Sequence, residues 1–394
     1  VTSSPQSAPA ARDERLNILL LDPHMGGGGQ VRYVASLTER FTAWGHRVTI
    51  GCKANSVLAA RGAQAGGSIV DRFEYRRGLR LAAWLRDISL LRQLISTDRF
   101  DVVHVNGSQD HWVAAFTRLL GGLPAPIIRT RHNTYRVPVH AANRFLNRRL
   151  TDYQICVCEE VRRDLAALSV FDATRMCAIH NGVDPEQYQP DADARASARA
   201  EFGYQEEHFV FGIAARLNKA KGHEYLLRAA ALLHEDFAQM RVLLLGEGEL
   251  ETPLRALAQE LGIASIVKFA GFRNDMARCT QAFDAGVLPS IDCDTSSFSL
   301  KEEMAAGKPI VCSDYGGLKE IVTDGVEGLV VPAGTHEPLA RAMRRLLQEP
   351  ALNKDFGAAG RARVEREFSL DAFASRTLDV YRKAIEIRHA RIAS

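Results

Sequence analysis

The sequence predicts an α/β protein built from two doubly wound parallel-sheet units in tandem, and three observations carry that prediction. Short β-branched runs alternate with segments of helical period almost throughout, and strands separated by helix-length stretches imply right-handed crossovers and parallel sheets. The alternation breaks once, at the HNGVDP segment that starts at His180, and then begins afresh. Finally, 394 residues with 46% hydrophobic and 25% charged side chains make an ordinary globular chain that is too long for one compact core.

Taken in order, the first series places strands at residues 17–22, 47–51, 101–105, 126–130, 153–157 and 176–180. Helices fill the gaps, notably over 30–44 and 80–95. After His180 a polar, Asp- and Ala-rich stretch to about Glu207 reads as an interdomain connection. The second series has strands at 208–214, 240–246, 266–270, 285–289, 309–313 and 328–331. Two closing helices, 352–368 and 370–391, have no strand after them. The expected division is a disordered leader over 1–15, a first domain over 16–182, a second over 183–370, and a helix over 371–394 that returns toward the first domain. Sheets of this kind bind ligands beyond the C-terminal ends of their strands, so the chemistry is expected there.

Composition narrows the function classes. No apolar run approaches the roughly 20 residues needed to span a bilayer, and the leader VTSSPQSAPAARDER lacks an apolar targeting core. The seven cysteines (Cys52, Cys156, Cys158, Cys177, Cys279, Cys293 and Cys312) are scattered without a CxxC pair, which suits a reduced, cytoplasmic protein. Net charge is +3 but divided: 24 basic against 15 acidic residues up to position 180, and 26 against 32 after it. Arginines cluster at Arg76, Arg77 and Arg80, and again at Arg129, Arg131, Arg136, Arg144, Arg148 and Arg149. Such clusters face anionic lipid or a phosphorylated acceptor, or they are simply solvated helix faces. No nucleic-acid partner is expected.

Three segments carry candidate chemistry. The first strand, NILLLD, runs into PHMGGGGQ and then a helix near Val31. Glycines there, Gly27 and Gly28 among them, let a backbone approach a ligand closely, and the helix start favours an anion. The spacing is not a dinucleotide fingerprint, and a plain tight turn is the alternative. In FVFGIAARLNKAKGHEYLLRAA, Arg216 leaves a strand end and Lys221 precedes a helix, a pair suited to a diphosphate. In VLPSIDCDTSSFSLKEEMAAGKPIV, a helix starting near Ser299 offers Ser297 and the amides of Phe298, Ser299 and Leu300 to phosphate oxygens. Glu302, one turn in, can accept from two vicinal hydroxyls, and Asp294 in the preceding loop from hydroxyls of a hexose. For isolated acids beside a helix start, favourable dipole placement is the plainer explanation.

The order NGVD, R-x4-KG, LLLGEGE, AGF, LPS, D-x7-E, MAAGKPIV and GGLKEIV resembles the family-four glycosyltransferases of the GT-B fold across nearly all of residues 17–370. The resemblance implies that Arg216 and Lys221 bind a donor diphosphate, Glu302 the ribose hydroxyls and Asp294 the transferred sugar. It further implies that the backbone at Phe272 and Arg273 meets the base, and that Gly246 and Gly248 let the nucleotide pass close. One departure is visible: the family usually has Glu where this chain has Asp294, a side chain shorter by one methylene. Glu303, which replaces a small residue of the usual pattern, reads as a solvent-facing helix position.

In the first domain the resemblance sets His132 of IIRTRHN near the transferred sugar, where a histidine can donate a hydrogen bond or assist a proton at neutral pH. A satisfied loop histidine is the alternative, and His104 fits a structural place better. Arg131, Arg144, Arg148 and Arg149 then form an acceptor or membrane surface, and the RTRHN context looks most like members that elongate lipopolysaccharide or other envelope glycans. The resemblance implies retention of anomeric configuration, a nucleotide-sugar donor, a glycan or lipid-linked acceptor, and peripheral contact with the cytoplasmic face of a membrane. Asp292-Cys293-Asp294 spells DxD, a metal signature of a different fold; cations and helix amides are expected to neutralise the diphosphate instead, with no metal and no cofactor. Rival readings are an epimerase or hydrolase of sugar nucleotides, or a binding protein without catalysis.

Overall fold

The computed structural model describes residues 15–76, 78 and 80–393; most of the expected leader and Arg77 of the basic cluster lie outside them. The first sheet contains β1 (Asn17–Leu21), β2 (Arg47–Gly51), β3 (Ser68–Val70), β4 (Val102–Val105), β5 (Ile127–Arg131), β6 (Tyr153–Cys156) and β7 (Met176–Ala178). Their order is β3-β2-β1-β4-β5-β6-β7. Strand β1 pairs in parallel on both sides, with Leu19 opposite Thr49 and Val103. Ile18, Leu19, Leu20 and Leu21 are all fully buried, the continuous apolar run expected of a parallel strand covered on both faces.

The second sheet contains β8 (Phe209–Ala214), β9 (Met240–Leu245), β10 (Val267–Phe269), β11 (Ala285–Leu288), β12 (Ile310–Ser313) and β13 (Gly328–Val331). Its order is β10-β9-β8-β11-β12-β13. Each sheet reverses its winding once, between β1 and β4 and between β8 and β11. The loops that leave β1 and β8 open at those reversals, where doubly wound sheets hold ligands. They are the PHMGGGG loop and the Arg216–Lys221 segment.

By compactness the described residues divide into those up to Ile128 with residues 383–393, and Arg129–Arg382. The first unit buries Leu19, Leu21, Phe73, Tyr75, Leu91, Val103 and Val105 in one cluster. The closing helix, Leu370–Ala393, contributes its end to this unit, where Arg388 Nε donates to Pro124 O at 3.0 Å. In the second unit a large cluster forms around Phe211, Ile213, Val242, Leu244, Val287, Leu300 and Met304.

Two elements differ from expectation. The stretch between the series contains the helix Ala192–Phe202, capped by the Asp191 side chain on Ala194 N and ended by Gly203 in the left-handed region. Its Arg195 and Arg199 both pair with Asp284, at 2.6 and 3.0 Å, which fixes the helix to the second sheet. The three-residue edge strand β3 was not expected. Its sequence, Ser68-Ile69-Val70, is too short for alternation to register.

Candidate functional site

The chain leaves β8 exposed at Arg216 and turns sharply, Asn218 N donating to Arg216 O at 2.8 Å and Lys221 N to Asn218 O at 3.3 Å. Both expected cations therefore sit on one short turn. A second loop, which follows β11, is stitched to it: Ile291 N donates to Ala220 O at 2.8 Å. Gly222 packs so closely on this loop that an added Cβ would lie 2.0 Å from Pro289 O. The two loops thus behave as one piece, and Lys221 Nζ meets Asp294 Oδ2 at 2.7 Å. The same oxygen accepts from Ser290 Oγ at 2.7 Å. Asp294 is buried, its side chain 5% exposed against 23% for Lys221.

The helix Phe298–Ala305 begins four residues later, with Ser297 as its N-cap. Ser297 Oγ accepts from Leu300 N at 3.3 Å, so the Leu300 amide expected at phosphate is already taken by the cap. The first-turn residues Phe298 and Ser299 are half-buried. Glu302 is buried, and Tyr188 OH donates to its Oε1 at 2.7 Å. Glu303 is the clear correction: it faces the interior, 1% exposed, against Gly286 of β11, and among the described residues its Oε2 has no hydrogen-bond partner. Burial, with Glu302 beside it, pushes its carboxyl well above the usual range. The reason is that residues 300–305 are all buried, so this helix has no solvent face to assign.

Around the expected base site, Gly246 and Gly248 serve the cation turn itself. An added Cβ would fall 2.1 Å from Ala215 O and 2.3 Å from Leu217 O, the two carbonyls that flank Arg216. The Phe272 side chain is exposed. The Arg273 guanidinium is committed to Asp275 at 2.9 Å and Glu201 at 2.8 Å, which leaves its backbone for any ligand contact. Asp292 accepts from Tyr315 OH at 3.0 Å and from Cys293 N at 2.7 Å, while Asp294 faces Lys221. The two acids of the DxD string are thus separately engaged.

In the first unit the glycine loop is open: an added Cβ on Gly28 would meet nothing within 4 Å, and on Gly27 only Val57 at 3.9 Å. Sequence reading passed over a pair beside it. The buried Asp22 at the end of β1 accepts from His24 N at 2.7 Å and faces His24 Nδ1 at 3.1 Å, while Gln30 Nε2 donates to its other oxygen at 2.8 Å. The signal was the D-x-H spacing at a strand end. His104 is fully buried, edge-on to Tyr33, as expected of a structural residue.

His132 is half-buried, and its carbonyl accepts from Thr295 Oγ1 at 3.1 Å, which ties it to the residue after Asp294. The arginines of the expected surface divide. Arg131 is turned inward, donating to Asn147 Oδ1 at 3.0 Å and lying 5.2 Å from the Phe171 ring centroid. Burial, with Arg129 near, brings its guanidinium down to about 9. Arg131 is thus half-buried, with its guanidinium turned away from the exposed arginines. Arg144, Arg148 and Arg149 are exposed, although Arg144 bonds Ser169 Oγ at 3.0 Å and Arg148 bonds Phe171 O at 3.0 Å.

Sequence reading also missed a buried network at the HNG segment. Fully buried Lys301 donates to Ser296 Oγ at 2.7 Å and to Asn181 O at 2.9 Å; His180 lies 3.1 Å from the same hydroxyl and 3.0 Å from Glu320. Burial lowers His180 despite its carboxylate partner. The network anchors the residue just ahead of the Ser297 cap. His180 and Asn181 lie over a hundred residues from Ser296, Lys301 and Glu320, and only the fold joins them.

Cations on a rigid turn, a capped helix start and a buried carboxylate one turn in can neutralise a diphosphate and accept from vicinal hydroxyls. Among the described residues, no helix is long and apolar enough to cross a membrane.

Comparison with known proteins places the chain in a family. The family described as Glycosyltransferase Family 4 matches residues 27–187, and Glycosyl transferases group 1 matches residues 194–363. A D-inositol 3-phosphate glycosyltransferase of Nocardioides is 30% identical over 92% of this chain and 87% of its own length. EpsD of Bacillus subtilis, named as a glycosyltransferase, is 32% identical over 52% of this chain, and the match spans only 53% of that relative. Anabaena HepE solved with UDP superimposes with a TM-score of 0.81 at 20% identity, covering 93% of this chain and all of that one. WaaG, a glycosyltransferase involved in lipopolysaccharide biosynthesis, does so with a TM-score of 0.66 at 16% identity, covering 94% of this chain and 99% of WaaG. The chain belongs to glycosyltransferase family 4 and has the GT-B fold.

Proposed function

We propose that this protein is a retaining glycosyltransferase that moves a sugar from a nucleotide-diphosphate donor to a glycan or glycolipid acceptor. The observation that carries the donor half is the joined pair of loops that sets Lys221 on Asp294, with Arg216 on the same turn and the capped Phe298–Ala305 helix next in the chain. As the bond from sugar to diphosphate breaks, negative charge builds on the leaving oxygens. Arg216, Lys221 and the helix start are fixed before the reaction to receive it, and such preorganised donors are the largest catalytic term available. Glu302, aligned by Tyr188, accepts from the ribose hydroxyls. No carboxylate is placed as a nucleophile in this reading; the acceptor attacks on the face the diphosphate leaves, and a phosphate oxygen takes its proton. The UDP complex of HepE supports a nucleotide partner.

No metal takes part in this reading, because the cations supply the charge and Asp292 and Asp294 are engaged separately. Turnover in excess chelator should equal turnover without it. The role of WaaG supports an envelope glycan or lipopolysaccharide intermediate as acceptor, with the protein in the cytoplasm and the exposed Arg144, Arg148 and Arg149 toward an anionic membrane face or phosphorylated acceptor.

The test is consumption of a nucleotide sugar with and without an envelope-glycan extract. Transfer predicts a strong acceptor requirement, with Lys221→Ala reducing turnover by roughly a hundredfold or more. Equal consumption without acceptor would favour an epimerase or hydrolase, and tight donor binding without turnover a catalytically inactive binder.

A further inference from the structure

The resemblance to family-four enzymes would have Asp294 touch the transferred sugar, but its surroundings in this chain assign it elsewhere. Its side chain is 5% exposed, and Oδ2 is held from two sides, by Lys221 Nζ at 2.7 Å and by Ser290 Oγ at 2.7 Å. Ser290 is itself fixed, since Ser313 Oγ donates to its carbonyl at 2.5 Å. The Asp294 backbone is clamped as well. Gly317 N donates to Asp294 O at 3.2 Å, and an added Cβ on Gly316 would lie 2.1 Å from that oxygen. A short carboxylate on a rigid loop, engaged by a lysine and a hydroxyl, has little freedom to follow a hexose.

We propose, resting on the donor reading above, that Asp294 acts on the donor diphosphate through Lys221: it is a positioning residue that holds the ammonium, and it does not read the sugar. An ammonium carries three donors. One is spent on Asp294, which leaves two for phosphate oxygens, and the long lysine stem no longer has to be ordered when the donor arrives. The Asp in place of the usual Glu then has a physical role, because the shorter side chain keeps the carboxylate back at the lysine. The Lys221 turn and the Asp294 loop are already joined through Ala220 O, so the pair is set by backbone before any ligand binds.

A sugar contact and a lysine clamp differ in one respect that is easily measured: nucleotide diphosphates without a sugar. Affinities of the intact chain for UDP, GDP and ADP, and for the glucose ester of each, are measured by calorimetry, and the tightest nucleotide is carried into a double-mutant cycle of Asp294→Asn and Lys221→Met. The clamp predicts that Asp294→Asn weakens the bare nucleotide by roughly tenfold, and weakens its glucose ester by the same factor. In the Lys221→Met background the same substitution should change nucleotide affinity less than about twofold, since residues that act as a unit are not additive. The proposal is overturned if Asp294→Asn leaves the bare nucleotide untouched and weakens only the sugar ester. It is equally overturned if nucleotide binding tightens, the mark of an anion competing with phosphate, or if the loss persists undiminished without Lys221. Should the Asn variant not fold, Asp294→Glu repeats the cycle with the charge displaced by one methylene, and the same outcomes decide. If wild type binds none of the nucleotides, the donor reading itself fails, which is a different result from any of these.

Discussion

Tyr188 reaches back from the segment between the two sheets and donates to Glu302 Oε1 at 2.7 Å. The tyrosine is buried, as is the carboxylate, so the bond fixes one oxygen of the acid proposed to read ribose. Tyr188→Phe keeps the ring and removes the donor, at an expected cost of about 1–3 kcal/mol in stability or donor binding, because the buried carboxylate loses a partner. Glu302→Gln should narrow the discrimination between UDP and 2′-deoxy-UDP in a calorimetric comparison. An undiminished preference for the ribose form would remove Glu302 from that role.

Glu303 is expected to weaken the fold at neutral pH. Burial raises its carboxyl above the ordinary glutamate range, so the native state holds a proton that the unfolded chain has already released. Stability is therefore lost as pH rises above the unfolded value and through the raised native one, and the loss is absent below both. Glu303→Gln should melt higher than wild type at pH 7, the advantage shrinking toward pH 4. The slope is at most about 1.4 kcal/mol per pH unit for one proton. Melting curves across pH 4–8 that run parallel for the two proteins would show that the acid is not buried in this way.

The sequence made most of the sheet architecture legible and misread this one residue, for a common physical reason. Strands such as β1, β4 and β9 are buried along nearly their whole length and appear as short, mostly apolar runs. Helices with a solvent face declare it by period. The Phe298–Ala305 helix packs between strand β11 and the helix Pro350–Arg363, and buries Lys301, Glu302 and Glu303 in succession; composition there follows buried partners, which a single sequence does not display. The Asp191 cap and Gly203 stop of the connecting helix were readable, but the Ala-rich content between them carried too little apolar period. That Arg216 and Lys221 would leave one strand end together was legible from spacing. That Lys221 meets Asp294, or that Lys301 lies under Ser296, depends on loops joined across 73 residues and a helix turned inward.

His24 should titrate above an ordinary histidine. Its hydrogen bond to Asp22 raises it most, with burial and Lys53 opposing and the Asp22 and Asp110 charges assisting. The stabilisation of the protonated ring is present at low pH and disappears as pH passes the raised value. A pH titration of the imidazole protons by NMR checks this, and Asp22→Asn should bring the midpoint down. An unchanged midpoint in that variant would mean that the pair does not form in solution.

Arg216 stands exposed on the same turn as Lys221, and a phosphate contact should make its effect depend on charge and geometry together. Arg216→Ala is expected to reduce turnover by about two orders of magnitude, and Arg216→Lys to recover it only in part, because the planar fork is lost. Rates within a factor of two of wild type for both variants would take Arg216 out of the diphosphate site.

The measurement that bears most directly on the proposed chemistry is the anomeric configuration of the product. With an α-configured nucleotide sugar and a competent acceptor, the proton coupling at the new anomeric centre should report an α linkage, as same-face attack requires. A β linkage formed from the same donor would contradict the mechanism proposed for this enzyme.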